Sequence, residues 1–234
     1  VDRYALALTR RLQDQCAADY ERFEFHKVVQ ALMNFCSEDL GAFYLDILKD
    51  RLYTAAENSR ARRSAQSALW HILQAVTRLM APVLSFTAEE IWTTIPGKCE
   101  QGHSVMLATW HVLPEQAEES VLATRWQAIR AVRADVTRVL EELRSAGKIG
   151  SSLQAEVSLR VDVDTHDLLA SLGEDLKFVL ICSKVTLKKV GAGDTAISAT
   201  PSTHAKCARC WHWREDIGQD AEHPELCGRC TSNL

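Results

Sequence analysis

Apolar residues recur at helical spacing from about Tyr4 to Tyr20, and again from Phe25 to Tyr53 through Val28, Leu32, Phe35, Leu40, Phe43, Ile47 and Leu52. This pattern predicts two amphipathic helices. Residues 60 to 80 repeat it with Ala65, Leu69, Ile72, Val76, Leu79 and Met80. Pro82 then interrupts the helix, because proline has no amide to donate. Thr87 with Glu90 three positions on has the form of a capping box opening another helix, which Pro96-Gly97 closes. Trp70 and Trp92 are expected in the core of this helical bundle, residues 1–97. No sustained period follows, so residues 98–117 are expected to be a linker, with Val105 to Ala108 as a short extended segment.

A long helix is predicted from about Glu118 to Ser145, striped by Leu122, Ile129, Val132, Val136, Leu140 and Leu143, with Gly147 as its stop. The period then changes to two. Leu153, Ala155, Val157, Leu159, Val161 and Val163 alternate with polar residues, as in a strand with one buried face. Helix from Thr165 to about Ile181 and a second strand, Lys184 to Val190, complete a small α/β unit over residues 118–190. Gly191 to Ala205 has the composition of a flexible linker, which leaves residues 206–234 as a separate module. The fold class is mainly α: a helical bundle, then a small α/β unit, then the terminal module.

That module carries the sharpest chemistry. Cys207-Ala-Arg-Cys210 and Cys227-Gly-Arg-Cys230 are two Cys-x-x-Cys pairs at the separation of a four-cysteine zinc site. A two-residue gap lets both sulfurs of a turn converge on one ion, and two such knuckles fill a tetrahedral shell. With no open position for water, the zinc is expected to be structural. Such sites contribute about 10 to 16 kcal/mol to folding, and residues 206–234 have few apolar groups from which to build a core instead. The alternative is a pair of disulfides, which suits an oxidising compartment. His204, His212 and His223 lie nearby, but four thiolates already complete the shell.

Trp211, His212 and Trp213 follow the first knuckle, with Arg209 inside it and Arg229 inside the second. Unpaired bases stack on aromatic faces, and arginines hold phosphates. The alternative for each tryptophan is packing over the zinc site. Lys206 and three arginines against five carboxylates leave the segment at minus one. Four thiolates and a zinc ion would add minus two, so any RNA contact must be local. Further upstream, Arg60, Arg62 and Arg63 open a predicted helix, where the macrodipole favours acids instead. Either an anionic partner such as a phosphate backbone explains them, or Asp50 or Glu57 neutralises a solvated face. Arg130, Arg133 and Arg144 on the long helix are read as a solvated flank.

Composition is that of a globular chain, 234 residues with 47% hydrophobic and 25% charged residues and a net charge of −4. This balance excludes wholesale charge-driven nucleic-acid binding. No apolar run reaches the length of a membrane span and no signal peptide opens the chain. Cys16, Cys36, Cys99 and Cys182 are widely spaced and are expected to be reduced thiols. The start at Val1, almost directly into a helical pattern, suggests a fragment of something larger.

The residues Phe25 to Leu32 (Phe-His-Lys-Val-Val-Gln-Ala-Leu), Phe43 to Tyr53, Ala81 to Trp92 (Ala-Pro-Val-Leu-Ser-Phe-Thr-Ala-Glu-Glu-Ile-Trp), Lys148 to Leu153 (Lys-Ile-Gly-Ser-Ser-Leu) and Cys207 to His212 together resemble the C-terminal third of bacterial isoleucyl-tRNA synthetases. The helical signatures are shared in looser form by valyl and related class I enzymes; the zinc module makes the isoleucyl assignment. The resemblance implies that the bundle is an anticodon-binding domain, and that the α/β unit and zinc module carry the C-terminal contact with the anticodon region. It implies an isoleucine tRNA as partner, touched by residues among Arg209, Trp211, His212, Trp213, Arg229, Arg60, Arg62 and Arg63. It also implies a cytoplasmic monomer that binds neither DNA nor membrane. Isoleucylation with ATP and magnesium would belong to the full-length enzyme, since its His-Ile-Gly-His and Lys-Met-Ser-Lys-Ser motifs are absent here and no catalytic residue stands out. Two rivals remain. A formamidopyrimidine-type DNA repair glycosylase has a similar zinc finger but needs an N-terminal proline, whereas the first proline here is Pro82. A zinc-stabilised protein-interaction module would need no RNA contact.

Overall fold

The computed structural model describes residues 1–96, 104–191 and 193–234; Gly97 and Cys99, named above, lie outside the described residues. The chain is mainly α and divides into two compact units. One comprises Val1–Leu48 and Arg60–Ala123, the other Lys49–Ser59 and Thr124–Leu234.

In the first unit, α1 (Asp2–Glu21) and α2 (Phe25–Asn34) lead into a π-helical stretch, Phe35–Leu45; α3 (Asp46–Thr54) begins there and continues in the second unit. Helix α4 (Arg60–Met80) packs on α1; α4 buries Ala65, Ala68, Ile72, Ala75 and Leu79, and α1 buries Tyr4, Leu12 and Cys16. The alanines allow the two backbones to approach closely. The π-helical stretch differs from the uniform α-helix expected over 25–53. The apolar stripe takes a five-residue step from Phe35 to Leu40, and one wider turn lets Phe35, Phe43 and Tyr44 all reach the core. The Tyr44 hydroxyl donates to Asp2 Oδ1 at 3.0 Å, while Ser64 Oγ donates to Asp2 Oδ2 at 2.6 Å.

Helix α5 (Ser85–Thr94) starts two residues before Thr87, with Leu84 at its N-cap and no side-chain cap. The expected Thr87–Glu90 capping box is therefore not formed. Trp92 is buried with Ala81, Ala88, Ile95 and Val105, but Trp70 is half-exposed, its indole donating to the Pro96 carbonyl. Nor are residues 104–117 a free linker. Val105–Leu107 forms a 3-10 turn rather than an extended segment, and the Glu89 carboxylate accepts from Ser104 Oγ at 2.7 Å and the Val105 amide at 3.0 Å. Beyond it, Arg3, Arg10 and Gln13 of α1 donate to the carbonyls of Ala117, Leu113 and His111. These long-range bonds pin an aperiodic strap that no local pattern announces.

Helix α6 (Glu119–Ser145) buries Trp126, Ile129, Val136 and Leu140, and Gly147 at φ +69° ends it. Strand β1 (Ala155–Val161) is followed by α7 (Val163–Ala170), α8 (Leu176–Leu180) and β2 (Lys184–Lys189), the latter parallel to β1. Val163, expected to end the strand, instead begins α7, because the Asp162 side chain caps that helix by accepting from the Thr165 amide. The stretch expected as a flexible linker carries β3 (Ala196–Pro201), antiparallel to β1, so the sheet order is β2-β1-β3. Small residues and hydroxyls disguise β3; pairing with β1 holds it. The terminal module adds β4 (Ala205–Lys206), β5 (Trp213–Arg214) and α9 (Gly228–Thr231). No described helix is long and apolar enough to cross a membrane.

Candidate functional site

The sulfurs of Cys207, Cys210, Cys227 and Cys230 all lie within 4.8 Å of one another, and all four residues are buried. Cys210 Sγ and Cys227 Sγ are 3.8 Å apart. A tetrahedron with Zn–S bonds of ~2.3 Å has edges of about 3.8 Å, so the spacing fits zinc. The same distance rules out a disulfide, whose sulfurs stand ~2.05 Å apart, and all four cysteines are free thiols. Backbone geometry builds the cage: the Trp211 amide donates to Cys207 O at 3.0 Å, the Thr231 amide to Cys227 O at 3.0 Å, and the Cys227 amide to Cys207 Sγ at 3.4 Å. Burial pushes the Cys210 thiol up to about 11 and the Cys230 thiol higher still. Burial acts on Cys207 too, yet the amides of Cys210, Cys227 and Arg209 bring it down to about 7. Cys207, Cys210 and Cys230 lose their protons together only against a divalent cation. His204 and His223 lie outside this cluster, and so does His212.

The side chains singled out around the knuckles separate into two groups. Arg229 makes a bidentate ion pair with Asp50, at 2.5 and 2.7 Å, and its guanidinium lies 4.8 Å from the Phe178 ring centre. Arg209 donates to the carbonyls of Cys230 and Asn233, closing the end of α9. His212 is 3% exposed, edge-on to Phe178 at 5.4 Å, with Nδ1 3.2 Å from the Cys210 carbonyl oxygen. Burial holds its pKa below the ordinary histidine value. Arg209, Arg229 and His212 are thus each held by partners within the chain, and their nearness to the cysteines is what buries them. Nothing local in the sequence marks Asp50 and Phe178, far away along the chain, as partners of the knuckles.

Trp211 is different. It is 60% exposed and its backbone sits at φ +64°. The left-handed region costs a non-glycine residue roughly 1–2 kcal/mol, so stability does not account for tryptophan at this turn. Lys206 Nζ lies 5.4 Å from the Trp211 ring centre and 5.5 Å from that of Trp213, which is half-buried with its amide donating to Ser183 Oγ at 2.7 Å.

In the first unit, Arg60, Arg62 and Arg63 do open α4, and no acid shares that first turn. Arg60 and Arg63 are exposed, Arg63 donating to Gln66 Oε1 at 3.5 Å, while Arg62 is half-buried. Asp50, one of the carboxylates expected against them, pairs with Arg229. On α6, Arg133 donates to Val179 O and Arg144 pairs with Glu141 at 2.7 Å.

The helical bundle, the small sheet and the four-cysteine knuckle pair have counterparts among known proteins. The family of anticodon-binding domains of tRNA ligases matches residues 2–159, and the chain belongs to that family. The zinc finger found in FPG and IleRS matches residues 206–233. Among its relatives are proteins named isoleucine–tRNA ligase from Aromatoleum aromaticum, 62% identical over 235 residues, Dechloromonas aromatica, 60% over 234, and Azoarcus sp., 58% over 236. Each alignment covers 100% of this chain and 25% of the relative, so the chain spans about a quarter of their length. The zinc-finger match together with the four-cysteine cluster supports structural zinc.

Proposed function

We propose that this chain is the part of an isoleucine–tRNA ligase that holds the anticodon region of isoleucine tRNA. ATP-dependent isoleucylation, with its ATP and magnesium, belongs to the rest of the full-length enzyme, and no residue here is catalytic. One structural zinc ion, held by Cys207, Cys210, Cys227 and Cys230, fixes the turn that presents Trp211. The protein acts in the cytoplasm as a monomer, on RNA and not on DNA. Family membership and the names of the relatives support this reading. The observation that carries it is Trp211, exposed at a left-handed turn on the rim of the cysteine cage, where strain is retained without a gain in packing. An exposed indole beside a lysine stacks on an unpaired base, worth about 1–3 kcal/mol per base. Trp213 contributes at most an edge. Arg60 and Arg63 at the start of α4 contact phosphates without reading sequence.

The test is binding of zinc-loaded protein to isoleucine tRNA and to anticodon-altered tRNA across a salt series. Trp211→Ala is expected to reduce discrimination between the two by roughly 5- to 100-fold, the equivalent of one lost stack. Trp211→Gly is expected to do the same while stabilising the module by about 1 kcal/mol, because glycine relieves the turn. Arg60→Ala with Arg63→Ala should weaken both tRNAs alike and flatten the salt dependence by about two in log–log slope. Equal loss for both tRNAs on Trp211→Ala would make Trp211 a packing residue and remove the reading's main support.

A further inference from the structure

Helix α4 carries His71 and the strap after Ser104 carries His111, and in the first unit the two rings meet. His71 Nδ1 and His111 Nε2 are 2.9 Å apart, with the ring planes tilted by 41°. Both residues are half-buried, and the Trp70 ring stands close to perpendicular to each, its centre 5.0 Å from that of His71 and 5.6 Å from that of His111. The bonds from α1 reach the strap at its backbone carbonyls, from Arg3, Arg10 and Gln13. The imidazole pair instead ties a side chain of the strap to α4.

A neutral imidazole has one donor and one acceptor nitrogen, whereas an imidazolium has two donors. A bond between two imidazoles therefore needs one proton between the facing nitrogens. It forms with both rings neutral, and it survives with one ring charged. With both rings charged, two N–H groups and two positive charges face each other across the gap, and the bond is lost. The surroundings oppose that state further. Burial, then Arg78 of α4 and His71 itself, hold His111 down at about 4, and burial holds His71 below the ordinary histidine value. No carboxylate among the described residues pairs with either ring. On α1 the charged groups facing the strap are Arg3 and Arg10, the latter 3.9 Å from Glu119, and Gln13 is neutral. On α5 it is Glu89, whose carboxylate accepts from Ser104 and Val105 at the start of the strap, and Glu115 on the strap is exposed.

We propose that the His71–His111 pair is a proton-operated latch, which holds the strap on α4 while at most one of the two rings is charged and lets it go when the second proton binds. Once released, both rings return to the ordinary histidine value of about 6.5. The latched value is the lower one, so the latch is at full strength above about 6.5 and weakens as pH falls toward about 4. His111 alone then multiplies the open-to-closed ratio of the strap by about 20 between pH 7 and pH 5. Release takes the strap carbonyls away from Arg3 and Arg10 and uncovers Leu113, which is 5% exposed while the strap is closed. The latch belongs to the first unit and works whatever the chain binds.

The experiment uses the full zinc-loaded chain and a variant with His71→Asn and His111→Gln, in which side-chain amides stand where Nδ1 and Nε2 were and bond to each other without titrating. Hydrogen exchange over residues 104–117 is measured at pH 7 and pH 5 and corrected for the intrinsic exchange rate at each pH, and the ring protons of His71 and His111 are titrated by NMR. In the unaltered chain the protection of the strap is expected to fall by about 20-fold from pH 7 to pH 5, while the interiors of α1 and α4 keep theirs. In the variant the strap is expected to be equally protected at both pH values. The two rings are expected to titrate below the free-histidine value and in coupled steps, a readout on the unaltered chain that decides the matter even where the variant fails to fold. An equal fall in the chain and the variant would assign the pH dependence to Glu89 or Glu119 and overturn the latch. Protection that does not change with pH in the unaltered chain also overturns it, as do rings that titrate independently at the ordinary histidine value.

Discussion

Arg229 shows how a residue can sit in a suggestive position and serve another purpose. Burial works against its charge, but two hydrogen bonds from its guanidinium to the Asp50 carboxylate hold its pKa above the ordinary arginine value, and Phe178 covers the guanidinium plane. A bidentate pair this well screened couples strongly. A double-mutant cycle of Asp50→Asn and Arg229→Ala, read by urea unfolding, is expected to return a coupling of about 1–3 kcal/mol. Arg229→Ala should alter tRNA affinity only in proportion to the protein it unfolds. A coupling near zero would mean that Arg229 is free to meet a phosphate. Trp211 is the opposite case: it is 60% exposed on a strained backbone, with Lys206 against its ring, so burial does not explain it.

At the scale of elements, the π-helical stretch is the most consequential departure from the regular pattern. It is what brings Tyr44 to Asp2 and so joins this helix to the start of α1. Gly41 sits within it, and a Cβ there would stand 3.0 Å from the Cys36 carbonyl oxygen. In an ordinary α-helix, replacing an exposed glycine by alanine stabilises by about 0.5–1 kcal/mol. Here Gly41→Ala is expected to lower the thermal midpoint, by an amount equivalent to roughly 1 kcal/mol of destabilisation. A rise in the midpoint would mean that the stretch relaxes to a regular α-helix at little cost. β3 carries the same lesson for strands. Its Ala, Ser and Thr residues have weak apolar alternation, and pairing with β1 supplies what intrinsic preference does not.

For the whole molecule, the zinc module is not suspended on a flexible tether. The Ser202 amide donates to Gln154 O, the Trp213 amide to Ser183 Oγ, and Arg229 to Asp50, all within the second unit. Chelation of zinc is therefore expected to do more than melt residues 206–234. Hydrogen exchange should quicken there and also around Lys49–Ser59 and Ser183, while α1 and α4 in the first unit keep their protection. Loss confined to residues 206–234, or spread evenly over every helix, would contradict this. The sequence alone determined what rests on short-range rules: the helical periods, the stop at Gly147, the alternation of β1, and the cysteine cage, because two ligands three positions apart meet one ion whatever surrounds them. Tertiary structure decided the rest. Whether a polar or aromatic residue is buried depends on partners that lie far off in sequence, as Asp50 does from Arg229 and Phe178 from His212. The strap after Ser104 and the strand β3 exist only through hydrogen bonds to distant backbone and side chains, and no local period records such bonds.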